Sequence, residues 1–260
     1  MIGQSKILAK LNNLTLDTLP HSLMLVGDFG CGKHMLCNAI SEKFKMEVTD
    51  ISDKLTFDLI SEIEGLANPH MYIINGDKIT LKEEATILKF LEEPTKFAFI
   101  IILCENKNRM LDTILNRCII WEFAPYTLAE LSTFQWQGSN LLFSIANTPG
   151  KVIKWCELPL DEMYELSMKI LDKMDKANFA NALSLANKID LSNKGKGYDK
   201  DAFFAILNYT AYCKVLDCKE EKWYNVYKLT NQLLNDSHIL HIDNTKLFEH
   251  YVYELKKILV

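Results

Sequence analysis

Arginine is nearly missing from this sequence: of 29 basic residues only Arg109 and Arg117 are arginines. Where a guanidinium does stand, its rigid fork of donors offers something that a lysine ammonium imitates only in part. An excess of positive charge is missing too. The formal net charge is −5 over 260 residues, which excludes a protein that holds nucleic acid by bulk electrostatics alone. A few local phosphate contacts inside a larger assembly remain compatible with it. No long hydrophobic run occurs. The longest, FAFIIILC at 97–104, is far too short to span a bilayer and suits a buried strand. The opening MIGQSKILAKLNNL never develops the apolar core of a signal peptide, so a cytoplasmic protein without membrane contact is expected. The seven cysteines are scattered with no CxxC pair, which argues against a disulfide framework. Cys213, Cys218, His238 and His241 could be imagined around zinc, but their spacings miss the finger patterns, and no metal site is expected.

What is present changes character along the chain. Up to residue 124, short apolar runs alternate with helical periodicity. Leu23–Val26, MEVTDI (46–51), MYIING (71–76), FAFIIIL and CIIWEF (118–123) read as strands. Met35–Phe44, FDLISEIEGLA (57–67) and KEEATILKFLEEP read as helices, the last stopped by Pro94. Strands separated by helices predict a mostly parallel sheet with helices on both faces. After Pro125 helical patterns dominate: TLAELSTF, NLLFSIAN, DEMYELSMKILDKM, FANALSLANKI, two more around 202–217 and 220–235, and a last one near 245–258. The polar, glycine-bearing stretch LSNKGKGYDKD (191–201) reads as a loop. An α/β domain followed by all-helical modules is therefore expected.

Between the first strand and the first helix of the alternating part stands GDFGCGK, a match to G-x-x-x-x-G-K with Gly27, Gly32 and Lys33 at the defining positions. Small residues there let successive N–H groups converge on phosphate oxygens, the helix N-terminus adds partial positive charge, and Lys33 reaches the terminal phosphates. The residue after the lysine is His34, where the usual Ser or Thr hydroxyl holds magnesium, a cation that prefers oxygen ligands. Phosphoryl transfer also needs an acid at the end of a neighbouring strand. MYIING ends in Ile74, Asn75 and Gly76, and Asp77 comes too late. Binding of nucleotide is compatible with these residues; hydrolysis is not expected.

From Asn75 onward, NGDKITLKEEATILKFLEEPTKFAFIIILCENKNRMLDTILNRC resembles the AAA+ subunits of DNA clamp loaders, with their Walker B strand, helix ending L-E-E-P, sensor strand and closing S-R-C. IGQSKILAKL, LPHSLMLVG and TPGKVIKW (148–155) are similar to that family as well. By motif the resemblance runs from about 2 to 125, continues to about 158, and is architectural beyond. It implies an AAA+ domain (1–124), a helical lid (125–160) and a helical collar (161–260). Carried over position by position, Gly27, Gly30, Cys31, Gly32, Lys33 and His34 form the Walker A loop. Ile74 and Asn75 fall where the Walker B acids belong, Glu105 at sensor 1, and Lys151 at the sensor 2 basic position. Asn116, Arg117 and Cys118 match S-R-C. A four-cysteine zinc module that follows the Walker A helix in some members has no counterpart, since Cys37 stands alone in that region.

The losses and retentions form a pattern. The chain lacks the parts for its own hydrolysis and keeps an arginine of the kind that one subunit inserts into its neighbour's site. The resemblance thus implies a non-hydrolysing subunit of delta-prime type, with ATP or ADP bound weakly and Arg117 acting in trans. It would work in a hetero-pentamer with other loader subunits, the sliding clamp and primer-template DNA. Two alternatives stay open: an active AAA+ ATPase subunit with unconventional magnesium ligands, and a helicase-loader-like protein. Glu92 and Glu93 of L-E-E-P read as a solvent-facing helix end. The aromatics of KWYNVYKLTNQLL read as packing between collar helices rather than as base-stacking platforms.

Overall fold

A computed structural model describes residues 3–52, 66–134, 139–176, 180, 198–237 and 244–259. The helix expected over 57–67, the one in FANALSLANKI and the side chains of His238 and His241 lie wholly or mostly outside them. The chain divides into two compact units: residues 1–133 with 148–150, and residues 134–147 with 151–260.

In the first unit, among the described residues, five strands form one sheet: β1 (Ser22–Val26), β2 (Glu47–Asp50), β3 (His70–Asn75), β4 (Ala98–Cys104) and β5 (Ile119–Glu122). Their order is β2-β3-β4-β1-β5 and every pairing is parallel. The central strands β1 and β4 are buried on both faces, which is why their sequences read as unbroken apolar runs rather than alternations. Alternate residues nevertheless part company. Leu23, Leu25, Met71, Ile73, Phe99, Ile101 and Leu103 join one core with Ile7 and Leu11 of α1 (Ser5–Asn13) and with Leu36, Cys37 and Ile40 of α2 (Lys33–Phe44). Met24, Val26, Tyr72, Ile74, Ile100 and Ile102 join the other with Ile87, Phe90 and Leu91 of α3 (Leu81–Glu92) and Ile114 of α4 (Asp112–Leu115). The period of two along each strand thus sorts one sequence into two helix-covered layers. The expected α/β fold with helices on both faces is what forms.

Local signals set the element ends. Thr80 and Glu83 make a reciprocal capping box at the start of α3, and Pro94 follows its end. Edge strand β2 is exposed along its whole length and carries Glu47 and Asp50, charges of the kind that discourage pairing with a further strand. A short helix α5 (Leu128–Leu131) closes the unit. The side chain of Gln4 exchanges two hydrogen bonds with the Ala124 backbone, 2.9 and 3.0 Å long, and so pins the N-terminal segment beside the exit of β5.

The second unit is helical among its described residues: α6 (Leu142–Ile145), the Lys151–Trp155 part of α7 (Pro149–Trp155), α8 (Leu160–Asp175), α9 (Lys200–Cys218), α10 (Glu221–Asp236) and α11 (Asn244–Leu259). Helix α9 is the centre. Ala202 to Leu207 are buried without interruption, as a helix enclosed on all sides requires, and α8 and α10 pack against it. Ser167 of α8 and Thr210 of α9 share a buried hydroxyl contact of 2.6 Å. The aromatic-lysine stretch splits by face: Trp223 and Val226 are buried, whereas Tyr224 is 49% exposed with the Lys228 ammonium over its ring. No helix among the described residues is long and apolar enough to cross a membrane.

Candidate functional site

The loop between β1 and α2 is shaped by its glycines and tied down by its carbonyls. Gly30 and Gly32 take φ of +73° and +103°, values that cost a side-chain-bearing residue about 1–2 kcal/mol. Gly30 also meets Gly150 backbone to backbone, so that a Cβ on either would collide with the other's Cα. Each carbonyl from Gly27 to Cys31 accepts a hydrogen bond. The Lys33 ammonium donates to Gly27 O and, at 3.2 Å, to Asp28 O. The Thr148 hydroxyl donates to Phe29 O at 2.7 Å, the Gly150 amide to Gly30 O at 3.1 Å, and the Tyr126 hydroxyl to Cys31 O at 2.7 Å.

The carbonyls are engaged, whereas several N–H groups of the loop are not. Those of Gly30, Gly32 and His34 have no acceptor among the described residues, and α2 begins at Lys33. Helix start and N–H groups together make a cradle for an anion. Two of the three Lys33 donors are in use, which leaves one for a phosphate oxygen. Cys31 is buried against the loop, and burial pushes its thiol pKa up. It therefore stays neutral and brings no competing negative charge. Gly27, Gly30, Cys31, Gly32 and Lys33 thus stand together in one loop ahead of and at the start of α2.

The positions expected to supply magnesium ligands carry other groups, or groups already engaged. His34 is exposed. Ile74 is fully buried in the core beneath the sheet, and Asn75 turns its Oδ1 to the Asp77 amide at 3.1 Å. The Asp77 carboxylate is clasped by the Glu105 amide, at 2.9 and 3.1 Å, and takes the Cys104 thiol at 3.5 Å. That thiol is pushed up to about 12, first by burial and then by the Asp77 charge. The acid that follows β3 is therefore spent on bracing the end of β4, a role no spacing rule revealed because its partner is a backbone amide 28 residues away. Another acid stands at the end of β2. Burial works to raise the Asp50 pKa, but hydrogen bonds from the Ser52 hydroxyl and amide outweigh it, helped by His34 and Lys78, so Asp50 titrates below the usual carboxylate range. Among the described residues no group of three or more His, Cys, Asp or Glu is arranged to hold a metal ion.

Lys151 belongs to the second unit, where its ammonium donates to Asn147 Oδ1 at 2.9 Å and lies 5.8 Å from the Trp155 ring centroid. Arg117 stands in the turn between α4 and β5. Its guanidinium donates from one terminal nitrogen to Thr113 O at 2.8 Å and from the other to Glu92 Oε1 at 2.7 Å. Glu92 is exposed as expected, yet it is partnered.

Comparison with known proteins agrees with the resemblance read from the motifs. Residues 45–127 match the family described as DNA polymerase III, delta subunit. A stretch of 106 residues is 41% identical to DNA polymerase III subunit delta' of Bacillus subtilis, covering 39% of this chain and 32% of that one. Replication factor C large subunit of Methanococcus aeolicus is 25% identical over 207 residues, covering 77% of this chain and 42% of that one. The matches span 32% and 42% of the length of these two relatives, less than half in each case. Among solved structures, a DNA polymerase III gamma subunit-related protein from Thermotoga maritima aligns over 99% of this chain and 100% of its own with a TM-score of 0.51. At 12% identity it speaks to the fold alone. The fold is the parallel α/β arrangement with a helical C-terminal part that AAA+ proteins share, and over the matched stretches the chain is similar to clamp-loader subunits.

Proposed function

We propose that this chain is a non-hydrolysing, delta-prime-like subunit of a DNA sliding-clamp loader, supporting ATP-driven loading of the clamp onto primed DNA. The observation that carries the reading is the mismatch within one site: an intact anion cradle beside positions 74 and 75 that hold Ile and Asn, with Asp77 already engaged. A phosphate fits the residues present; its magnesium does not. The division into an AAA+ domain (1–124), a lid (125–160) and a collar (161–260), the partnership with other loader subunits, clamp and primer-template DNA, and the role of Arg117 in a neighbour's site are parts of the same proposal.

On this reading the purified chain releases no phosphate from ATP above background, with or without magnesium. Steady-state turnover that disappears in Lys33→Ala would overturn it. The alternative, an active ATPase, has one observation in its favour: Asp50, kept ionised at the end of β2 with His34 contributing to its field. Magnesium-dependent turnover lost in Asp50→Asn is the signature of that second reading.

Nucleotide binding itself is expected to be weak and indifferent to magnesium. A ligand at ten times its Kd stabilises the folded protein by about 1.4 kcal/mol, so millimolar ATP or ADP raises the unfolding temperature equally in magnesium and in EDTA. Lys33→Ala, which removes the cation of the cradle, abolishes the shift. A shift that needs magnesium, or none at all, speaks against a phosphate-only site.

A further inference from the structure

We propose that Glu92 is a positioning residue for Arg117: it holds the guanidinium at the rim of the first unit, ready for an anion on another molecule. This rests on the reading of Arg117 given above.

Glu92 ends α3, and a carboxylate in the last turn of a helix meets the negative end of the helix dipole. Local helix energetics therefore disfavour Glu there, and Glu93 repeats the offence as the C-cap. What Glu92 gains is the Arg117 ion pair, 2.7 Å long across 25 residues of sequence. The pair is 51% exposed on the glutamate side and 36% on the arginine side. Exposed pairs of this kind contribute little to stability, so fold maintenance is a poor reason for it. Geometry gives a better one. Thr113 O takes a proton from one terminal nitrogen and Glu92 Oε1 from the other, which uses two of the five guanidinium donors and leaves three for an incoming phosphate. The long side chain is thereby restricted before any partner arrives, and ordering it beforehand removes a cost that the transition state would otherwise bear. Leu111 and Ile119, both exposed, flank Arg117 in sequence on either side of α4, as befits a rim that meets another protein.

The test uses the loader complex formed with the ATPase subunits of the same source. Glu92→Ala lowers the kcat of clamp- and DNA-stimulated ATP turnover about three- to tenfold, part of one arginine's rotamer freedom because the Thr113 O contact remains, and leaves KM for ATP unchanged. Glu92→Gln, which keeps the accepting oxygen without the charge, stays within about twofold of the parent. In an Arg117→Ala background, Glu92→Ala has no further effect. On the chain alone, phenylglyoxal modifies Arg117 faster in Glu92→Ala than in Glu92→Gln or the parent, and with two arginines in the sequence the adduct is easily assigned. Parent-like or raised turnover in Glu92→Ala, a loss that persists without Arg117, or unchanged phenylglyoxal reactivity overturns the inference. If Arg117→Ala itself leaves turnover unchanged, the trans-acting role has failed. If Arg117→Ala lowers turnover and Glu92→Ala does not, only the positioning role has.

Discussion

In a loader complex containing this chain, Arg117→Ala is expected to cut clamp- and DNA-stimulated ATP turnover severely while folding and assembly persist. A guanidinium delivered to a neighbouring site matters when negative charge spreads over the transferring phosphoryl group, so its loss is felt in the transition state more than in the ground state. Arginine fingers of single-site NTPases contribute roughly 10³-fold or more. On the proposed reading one of several ATPase sites in the loader faces this subunit, which dilutes that figure in ensemble turnover. Arg117→Lys restores part of the loss, because an ammonium supplies charge without the fork. Folding is not at risk: the side chain is exposed and its two contacts, to Glu92 and Thr113 O, are surface contacts. Steady-state ATPase and clamp-loading assays check this, and wild-type values for Arg117→Ala would reduce the chain to a scaffold.

The second large effect concerns stability. Gly30→Ala places a Cβ at φ +73° and drives it into the Gly150 backbone. The left-handed conformation costs about 1–2 kcal/mol and overpacking of a rigid contact about 1–3, so a loss of about 2–5 kcal/mol is expected. Gly150→Ala brings the collision alone, since its φ is ordinary, and should cost about 1–3 kcal/mol. Urea unfolding of the two variants beside the parent measures both figures, and their difference isolates the backbone conformation of Gly30. Two variants as stable as the parent would mean that the loop and the Thr148–Gly150 segment do not depend on this approach.

Much of this was readable beforehand, for reasons that lie in the residues. Strands β1, β3 and β4 are interior strands of a parallel sheet, and their runs of Leu, Met and Ile have no polar interruption to confuse. The phosphate loop announced itself because its chemistry is local: three glycines and a lysine within seven residues. What stayed hidden depends on contacts between distant segments. Nothing in Thr148, Gly150 or Tyr126 as letters says that they hold the carbonyls of residues 29 to 31. Asp77 could be placed too late for one role but not assigned to the Glu105 amide. Glu92 read as one more solvated acid because exposure and partnership are not opposites, and periodicity reports only the first. Tyr224 and Trp223 are neighbours in sequence that the helix turns to opposite environments.

The five tied carbonyls have a consequence for information. A nucleotide transmits a signal only if the site has two states and binds them unequally. Many phosphate loops are ordered by their ligand, so that filling and emptying the site is itself the message. Here the chain supplies Lys33, Tyr126, Thr148 and Gly150 to do that ordering from within. A loop already in its final shape offers the ligand no second shape to select. On the proposed reading, occupancy of such a site is silent, and the timing of a loader would be set by the subunits beside this one.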